Sequence, residues 1–335
     1  MKFLKNRKVI QLWIGFLVTL LCFYAISRQI RIREVQLAFQ SFNYIYLLYG
    51  VAFLTLDYII RIYRWSYILR AIGAQITTKA CAGPFMGSIA LNNLLPFRAG
   101  DGIRAFFYPK KMKIDRSMGV SSLVMEKISD LSVLGLMLLV GVVEFKGLRL
   151  PRSLINSTWF LIVILLLFSV FAIATQSSFI ASIIASFWVF KSASLVRIRK
   201  YLARFQKDMA VLLKFKPLFS IFLISSAVWI TESFLGYFIL RGFGLLVSPA
   251  GALLFMSLVS ISTLVPSSPG YVGPFDLAVI TSVGLLGGTA GQGISVAIVL
   301  HLSLWFPTTV AGAFAILKDA PFFREARIEL QSAKR

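Results

Sequence analysis

The 335 residues are 58% hydrophobic and only 14% charged, with a mean hydropathy of +0.82. Soluble domains carry about 25% charged residues, so the composition excludes a soluble globular protein and points to an all-α polytopic membrane chain. The formal net charge of +22 would suggest nucleic acid in a soluble protein. Here the basic residues lie mostly in loops and at helix ends, where the positive-inside rule and anionic headgroups account for them, and no nucleic-acid partner is expected.

Residues 1–8 are basic and precede an apolar run, the outline of a signal peptide. No small-residue cleavage site follows Ile26, so residues 9–27 are expected to stay as a first span. A short loop with Arg28, Arg31 and Arg33 leads to a second span, 44–69. It carries Arg61-Ile62-Tyr63-Arg64-Trp65 near its end, a pattern expected to anchor at the interface. An interrupted apolar segment occupies 80–108. A basic loop then precedes a third span, 118–142, and a fourth follows at 154–175. Residues 187–216 interleave basic and apolar side chains and read as an amphipathic helix on a membrane face or a solvated linker helix. A span at 218–240 is followed by a second interrupted region, 249–286, and a last span, 294–317. Cys22 and Cys81 lie in apolar runs and read as small core residues.

If both interrupted regions are re-entrant hairpins, about six full spans remain and both termini share a side. That side then holds 27 of the 35 Lys and Arg residues and the opposite side 7, which places both termini in the cytoplasm of a bacterial-type inner membrane. Full crossing by one or both hairpins would change the span count. The expected organisation is a single transmembrane domain, 1–335, with halves 1–175 and 218–317 joined by 187–216. Asn93-Leu94-Leu95-Pro96 with Gly100-Asp101 echoes Thr263-Leu264-Val265-Pro266 with Gly273 and Asp276, the pattern of an inverted repeat of broken helices.

The breaks hold the candidate site. Pro96 and Gly100 in the first, and Pro266, Pro269, Gly270 and Gly273 in the second, are the candidate hinge residues. Arg98 and Arg104 flank the first turn, where two guanidinium groups can converge on one anion with paired donors; interfacial snorkelling is the alternative. Asp101 accompanies them. Glu126 and Asp130 share a helix face at i, i+4, and can pair with these arginines, exchange protons or form structural ion pairs. Glu232 lies inside an apolar span and is a functional candidate on that ground. Asp276 either lines the path or caps a helix. Asp57 is positioned to pair with Arg61 at i, i+4. His301, the single histidine, reads as a packing residue, and no metal or other cofactor is expected. Nucleotide-binding loops and nucleophile elbows are absent from the sequence.

Taken together these motifs resemble the lysylphosphatidylglycerol synthase transmembrane family, a flippase-like family. Arg64-Trp65 matches an early element of its pattern. Asn92, Pro96, Arg98, Gly100, Asp101 and Arg104 match the central one. Glu126-Lys127-Ile128-Ser129-Asp130 stands for Glu-Arg-x-x-Asp, and Pro266, Pro269, Gly270, Gly273 and Asp276 match the late element. Tyr271 stands where a small residue is common, Asp replaces Glu at Asp101 and Asp276, and Lys127 replaces Arg. The resemblance implies a lipid-handling domain. In bifunctional relatives it moves aminoacylated phosphatidylglycerol between leaflets, after a separate soluble domain has made the lipid. Only 18 residues follow residue 317 here, so that synthase domain is expected to be absent and a separate lipid-synthesising enzyme is an expected partner.

The expected function is therefore transport of a membrane lipid with a phosphate headgroup: an anionic or aminoacylated phospholipid, or a polyprenyl-phosphate-linked lipid. Arg98, Arg104 and Asn93 would bind the phosphate, and Asp101, Glu126, Asp130, Glu232 and Asp276 would line the path or carry protons. An integral-membrane subunit or enzyme of lipid modification or lipid-linked glycosylation is the alternative. A scaffold binding anionic lipid through residues 191–216 is a third reading.

Overall fold

A computed structural model describes residues 17–22, 24–26, 32–144, 193–265 and 267–322. The expected fourth span, most of the first, Arg28, Arg31, Lys191, Pro266 and the tail beyond Phe322 lie outside these. The described residues form helices and turns, without a strand among them. After an apolar N-terminal stretch, Leu17–Ile26, the helices are α1 (Ile32–Gln40), α2 (Tyr44–Ala71), α3 (Thr78–Leu94), α4 (Ala99–Phe106), α5 (Tyr108–Lys111), α6 (Arg116–Glu144), α7 (Ala193–Leu212), α8 (Phe215–Gly242), α9 (Pro249–Ser262), α10 (Pro274–Leu285) and α11 (Ala290–Lys318).

Local chemistry sets the helix starts. Asn43, Thr77 and Ser248 each accept a backbone N–H in the first turn of α2, α3 and α9. Thr289 and Gln292 form a reciprocal capping box on α11. Helices α2, α8 and α11, of 28, 28 and 29 residues, are long and apolar enough to cross a membrane. Helix α6 has 29 residues but carries Glu126, Lys127 and Asp130 midway.

Between the long helices lie two hairpins. Helix α3 ends at Leu94, a short 3-10 turn spans Pro96–Arg98, and α4 folds back on α3. The return is close because Gly100 has no side chain: a Cβ there would lie 1.9 Å from the Ser88 carbonyl oxygen. In the second hairpin, α9 and α10 pack together on either side of a turn at Pro269–Tyr271. Gly270 takes φ 76°, in the left-handed region that glycine enters without strain. Helices α3 and α9 have 17 and 14 residues. Their rises of about 25 and 21 Å fall short of a bilayer's hydrocarbon core.

The two hairpins open at opposite ends of the molecule and their turns touch. At one end, Ser66 and Thr78 tie the close of α2 to the start of α3. Lys111 pairs there with Asp319 beyond α11, and Met209, Leu212 and Ile221 pack on Ile68. At the other end, Asn43 N–H donates to Gly242 C=O at 3.0 Å and Gln292 bonds the Phe243 carbonyl. Most described loop lysines and arginines gather at the first end, from Arg70 and Lys79 through Lys110–Arg116 to α7.

Helix pairings repeat between the halves. Helix α3 packs on α11 as α9 packs on α6. Helix α4 packs on α6 as α10 packs on α11, and the pairing of α2 with α3 has its counterpart in α8 with α9. Helices α2 and α8 form the most extensive pair. The main apolar core, with Leu134, Leu235, Phe255 and Leu300 among its members, lies largely between α6, α8, α9, α10 and α11.

Candidate functional site

Three long helices aim charged faces at one another. On α2, Asp57, Arg61 and Arg64 recur at helical spacing. On α6, Glu126 and Asp130 do the same, and on α8 so do Ser225, Trp229 and Glu232. Arg64 is 0% exposed. Its Nη1 donates to Asp130 Oδ1 at 2.6 Å and to Ser225 Oγ at 2.9 Å. Trp229 Nε1 donates to the same Asp130 oxygen at 2.9 Å. Arg61 Nε donates to Asp57 Oδ2 at 2.7 Å, and its Nη2 binds Glu232 across the α2–α8 contact. The expected Asp57–Arg61 pair is therefore present. The interfacial role expected for Arg61 to Trp65 is corrected: Arg64 and Trp65 are buried, with Trp65 Nε1 donating to Ser122 Oγ at 3.1 Å. Charges in a spanning helix turn inward when carboxylates on neighbouring helices can neutralise them.

The first hairpin adds a second group. Arg104 is 2% exposed and donates through both terminal nitrogens to Glu126, at 2.7 and 3.1 Å. Its guanidinium lies over the Phe85 and Trp65 rings, 4.7 and 5.2 Å from their centroids. Asp101 exchanges two hydrogen bonds with Asn92, at 2.9 and 3.0 Å, and meets Lys127 Nζ at 2.9 Å. Breaking such a buried pair on one side costs about 3–5 kcal/mol, because the surviving charge is left uncompensated.

Arg98 differs from these cations. It takes φ 50° at the tip of the first break, a left-handed conformation strained for a non-glycine residue. Its Nη2 donates to Thr263 Oγ1 at 2.7 Å, in the second break. The guanidinium stacks 5.3 Å from the ring centroid of Tyr271, itself left-handed at φ 62°. Among the described residues no carboxylate lies within ion-pair distance of Arg98. The left-handed pair joins the two breaks.

A cavity of about 190 Å³ lies behind this junction, with Arg61, Arg98, Lys127 and Glu232 in its walls beside Trp229 and Tyr271. A second, of about 230 Å³, shares Arg98, Thr263 and Tyr271 and extends past Leu95 and Leu264. Arg104 lines neither. The structure thus does not bring Arg98 and Arg104 onto one space: Arg98 faces the cavity, and Arg104 is committed to Glu126. Asn93 lines the first of these cavities while its Nδ2 donates to Thr308 and Thr309 Oγ1, at 3.1 and 2.9 Å. Asp276 caps α10 by accepting the Gly273 N–H at 3.0 Å, and its other oxygen lies 2.9 Å from His301 Nδ1. Gly273 has φ 101°, and Pro96 and Pro269 open the two short turns. No group of three metal-ligating side chains occurs among the described residues.

Sequence reasoning did not single out Trp229, Tyr58 or Trp305, which line the cavity. The spacing of Trp229 and Glu232 on one helix face was the available signal. Lys127, on the same helix as Glu126 and Asp130, pairs with Asp101.

The family model described as lysylphosphatidylglycerol synthase TM region matches residues 12–312. A UPF0104 membrane protein of Methanothermobacter thermautotrophicus is 22% identical over 304 residues, covering 87% of this chain and 89% of the relative. A UPF0104 membrane protein of Methanocaldococcus jannaschii is 25% identical over 229 residues, covering 67% and 91%.

Proposed function

The chain belongs to the lysylphosphatidylglycerol synthase TM family, and from that premise we propose that it moves a membrane lipid with a phosphate headgroup between leaflets. The observation that carries this reading is Arg98: a cation in the cavity wall, held by Thr263 and Tyr271 and lacking a carboxylate partner among the described residues. A guanidinium in that setting is a phosphate ligand, because its fork of donors matches the phosphate oxygens. The aromatic walls suit the glycerol or prenyl portion next to the phosphate. Arg104, bound to Glu126, positions α4 rather than the lipid. Asp101 holds Lys127 in the cavity wall, whereas Glu126 and Asp130 are committed to Arg104 and Arg64 outside it.

In this reading the two hairpins are re-entrant halves of an inverted repeat, and their touching turns form the barrier that alternates. The repeated helix pairings support it. The basic end faces the cytoplasm of the inner membrane. A separate enzyme makes the lipid.

The test is reconstitution in liposomes with leaflet-specific labelling of several phosphate-headgroup lipids. Wild-type protein should exchange at least one class faster than empty liposomes, and Arg98→Gln should abolish the difference. Rates equal to empty liposomes across all classes would refute transport, and a chemically altered headgroup would assign lipid modification instead.

A further inference from the structure

The ion pairs around the cavity do not balance locally: Arg98 has no carboxylate partner among the described residues, and elsewhere one guanidinium serves two carboxylates. Arg64 serves Asp130, Arg104 serves Glu126 and Lys127 serves Asp101. Asp276 is occupied by the Gly273 N–H and His301. Asp57 and Glu232 share one guanidinium, that of Arg61. Asp57 is 1% exposed, and its Oδ1 is buried without a hydrogen-bond partner among the described residues.

Two carboxylates on one cation leave a local net negative charge in the packing between α2 and α8. An unpaired buried charge is far more costly than a neutral polar group in the same place. Like charges sharing a site favour one proton between them. Arg64 also acts on Asp57, but it is hydrogen-bonded to Asp130, whose own negative charge offsets part of its effect. Tyr58 lies beside Arg61, with its ring centroid 5.8 Å from the guanidinium carbon. His301 and Arg98 face the same cavity from α11 and the first break.

We propose that Asp57 and Glu232 together hold one exchangeable proton, and that this pair is the proton-coupling site of the transport cycle. Glu232 lines the cavity and Asp57 does not, so the proton enters and leaves at Glu232. A proton arriving at the Glu232 carboxylate gives a neutral acid and leaves Arg61 to Asp57. Its loss restores two carboxylates competing for one guanidinium, which changes the α2–α8 contact. Because α8 carries Trp229 in the cavity wall and α2 carries Arg61, the protonation state reaches the space beside Arg98. The proton site rests on the ion pairs alone; its use in coupling rests on the transport reading above.

Two measurements separate these. The first is infrared difference spectroscopy of the purified full chain during a pH titration, read at the carbonyl stretch of a protonated carboxylic acid. Wild-type protein should show such a band that titrates away as pH rises. Both Asp57→Asn and Glu232→Gln should remove it, whereas Asp101→Asn should leave it. No titrating band in wild type, or a band that survives both substitutions, overturns the site whatever the transport result. The wild-type titration stands even if a variant fails to fold. The second is lipid exchange in liposomes with and without an imposed pH gradient, membrane potential clamped. Wild-type exchange should change several-fold with the gradient, and Glu232→Gln exchange should not respond to it. Exchange that ignores the gradient in wild type overturns coupling while leaving transport intact. No exchange under any condition overturns transport and coupling together.

Discussion

Arg98 and Arg104 are six residues apart and chemically identical, yet their surroundings give them opposite roles. Arg104 is buried against Glu126, Phe85 and Trp65. Arg104→Gln should therefore lower stability by about 3–5 kcal/mol, the cost of leaving Glu126 buried without its cation. Denaturant or thermal unfolding in detergent reads this, and adding Glu126→Gln should recover most of the loss. Arg98 is half-buried at the cavity, so Arg98→Gln should leave the melting temperature nearly unchanged while lipid exchange is lost. Arg98→Lys should restore only part of the exchange, because an ammonium is a point charge without the paired donors. A melting loss at Arg98 larger than at Arg104 would reverse the assignment.

At the level of elements, the first hairpin depends on how closely α4 returns along α3. Gly100→Ala would drive a Cβ into the Ser88 carbonyl and toward Asn92, so the helices must separate. The expected result is destabilisation of about 1–3 kcal/mol, with new protease sensitivity near Leu94–Arg98 and loss of lipid exchange. Helix α7 depends on a different balance. Asp208 is buried against α6, with Ser121 Oγ donating to its Oδ2 at 3.1 Å. Burial pushes its carboxyl above the ordinary value, and the hydrogen bonds from Ser121 and Ser117 only partly oppose this. The charged form is the disfavoured one, so the penalty on α7 docking is full above the raised value. It disappears as pH falls below the ordinary carboxylate range. Protection of α7 amides relative to their intrinsic exchange rates should therefore rise on acidification. In Asp208→Asn that protection should be high already and independent of pH in that window.

On the scale of the whole molecule, the segregation of basic loops predicts sidedness. A cysteine at Lys113 should react with a membrane-impermeant thiol reagent only after the cells are opened. A cysteine at Leu246, highly exposed at the opposite end, should react from outside. Labelling in the reverse pattern would invert the orientation. Four of the arginines that weighed in the charge count, Arg61, Arg64, Arg98 and Arg104, are internal to the helices and hairpin rather than in loops. Removing them leaves the sign of the bias unchanged.

Composition by itself determined an all-helical membrane chain, because 58% hydrophobic residues cannot be buried in a soluble fold of this kind. Local patterns determined where the breaks fall, since Pro96, Pro269 and Gly270 end or turn a helix through their own backbone chemistry. The i, i+4 spacings also marked Asp57–Arg61 and Glu126–Asp130 as shared faces. Tertiary structure alone decided which cation meets which carboxylate. Arg61 finds Glu232 171 positions away, and Arg98 finds Thr263 165 positions away. Ion pairing inside an apolar packing is set by which helices adjoin, a property of the whole arrangement and not of any one segment. That pairing separates the buried Arg104 from the cavity-facing Arg98, and it leaves Asp57 and Glu232 sharing a single guanidinium.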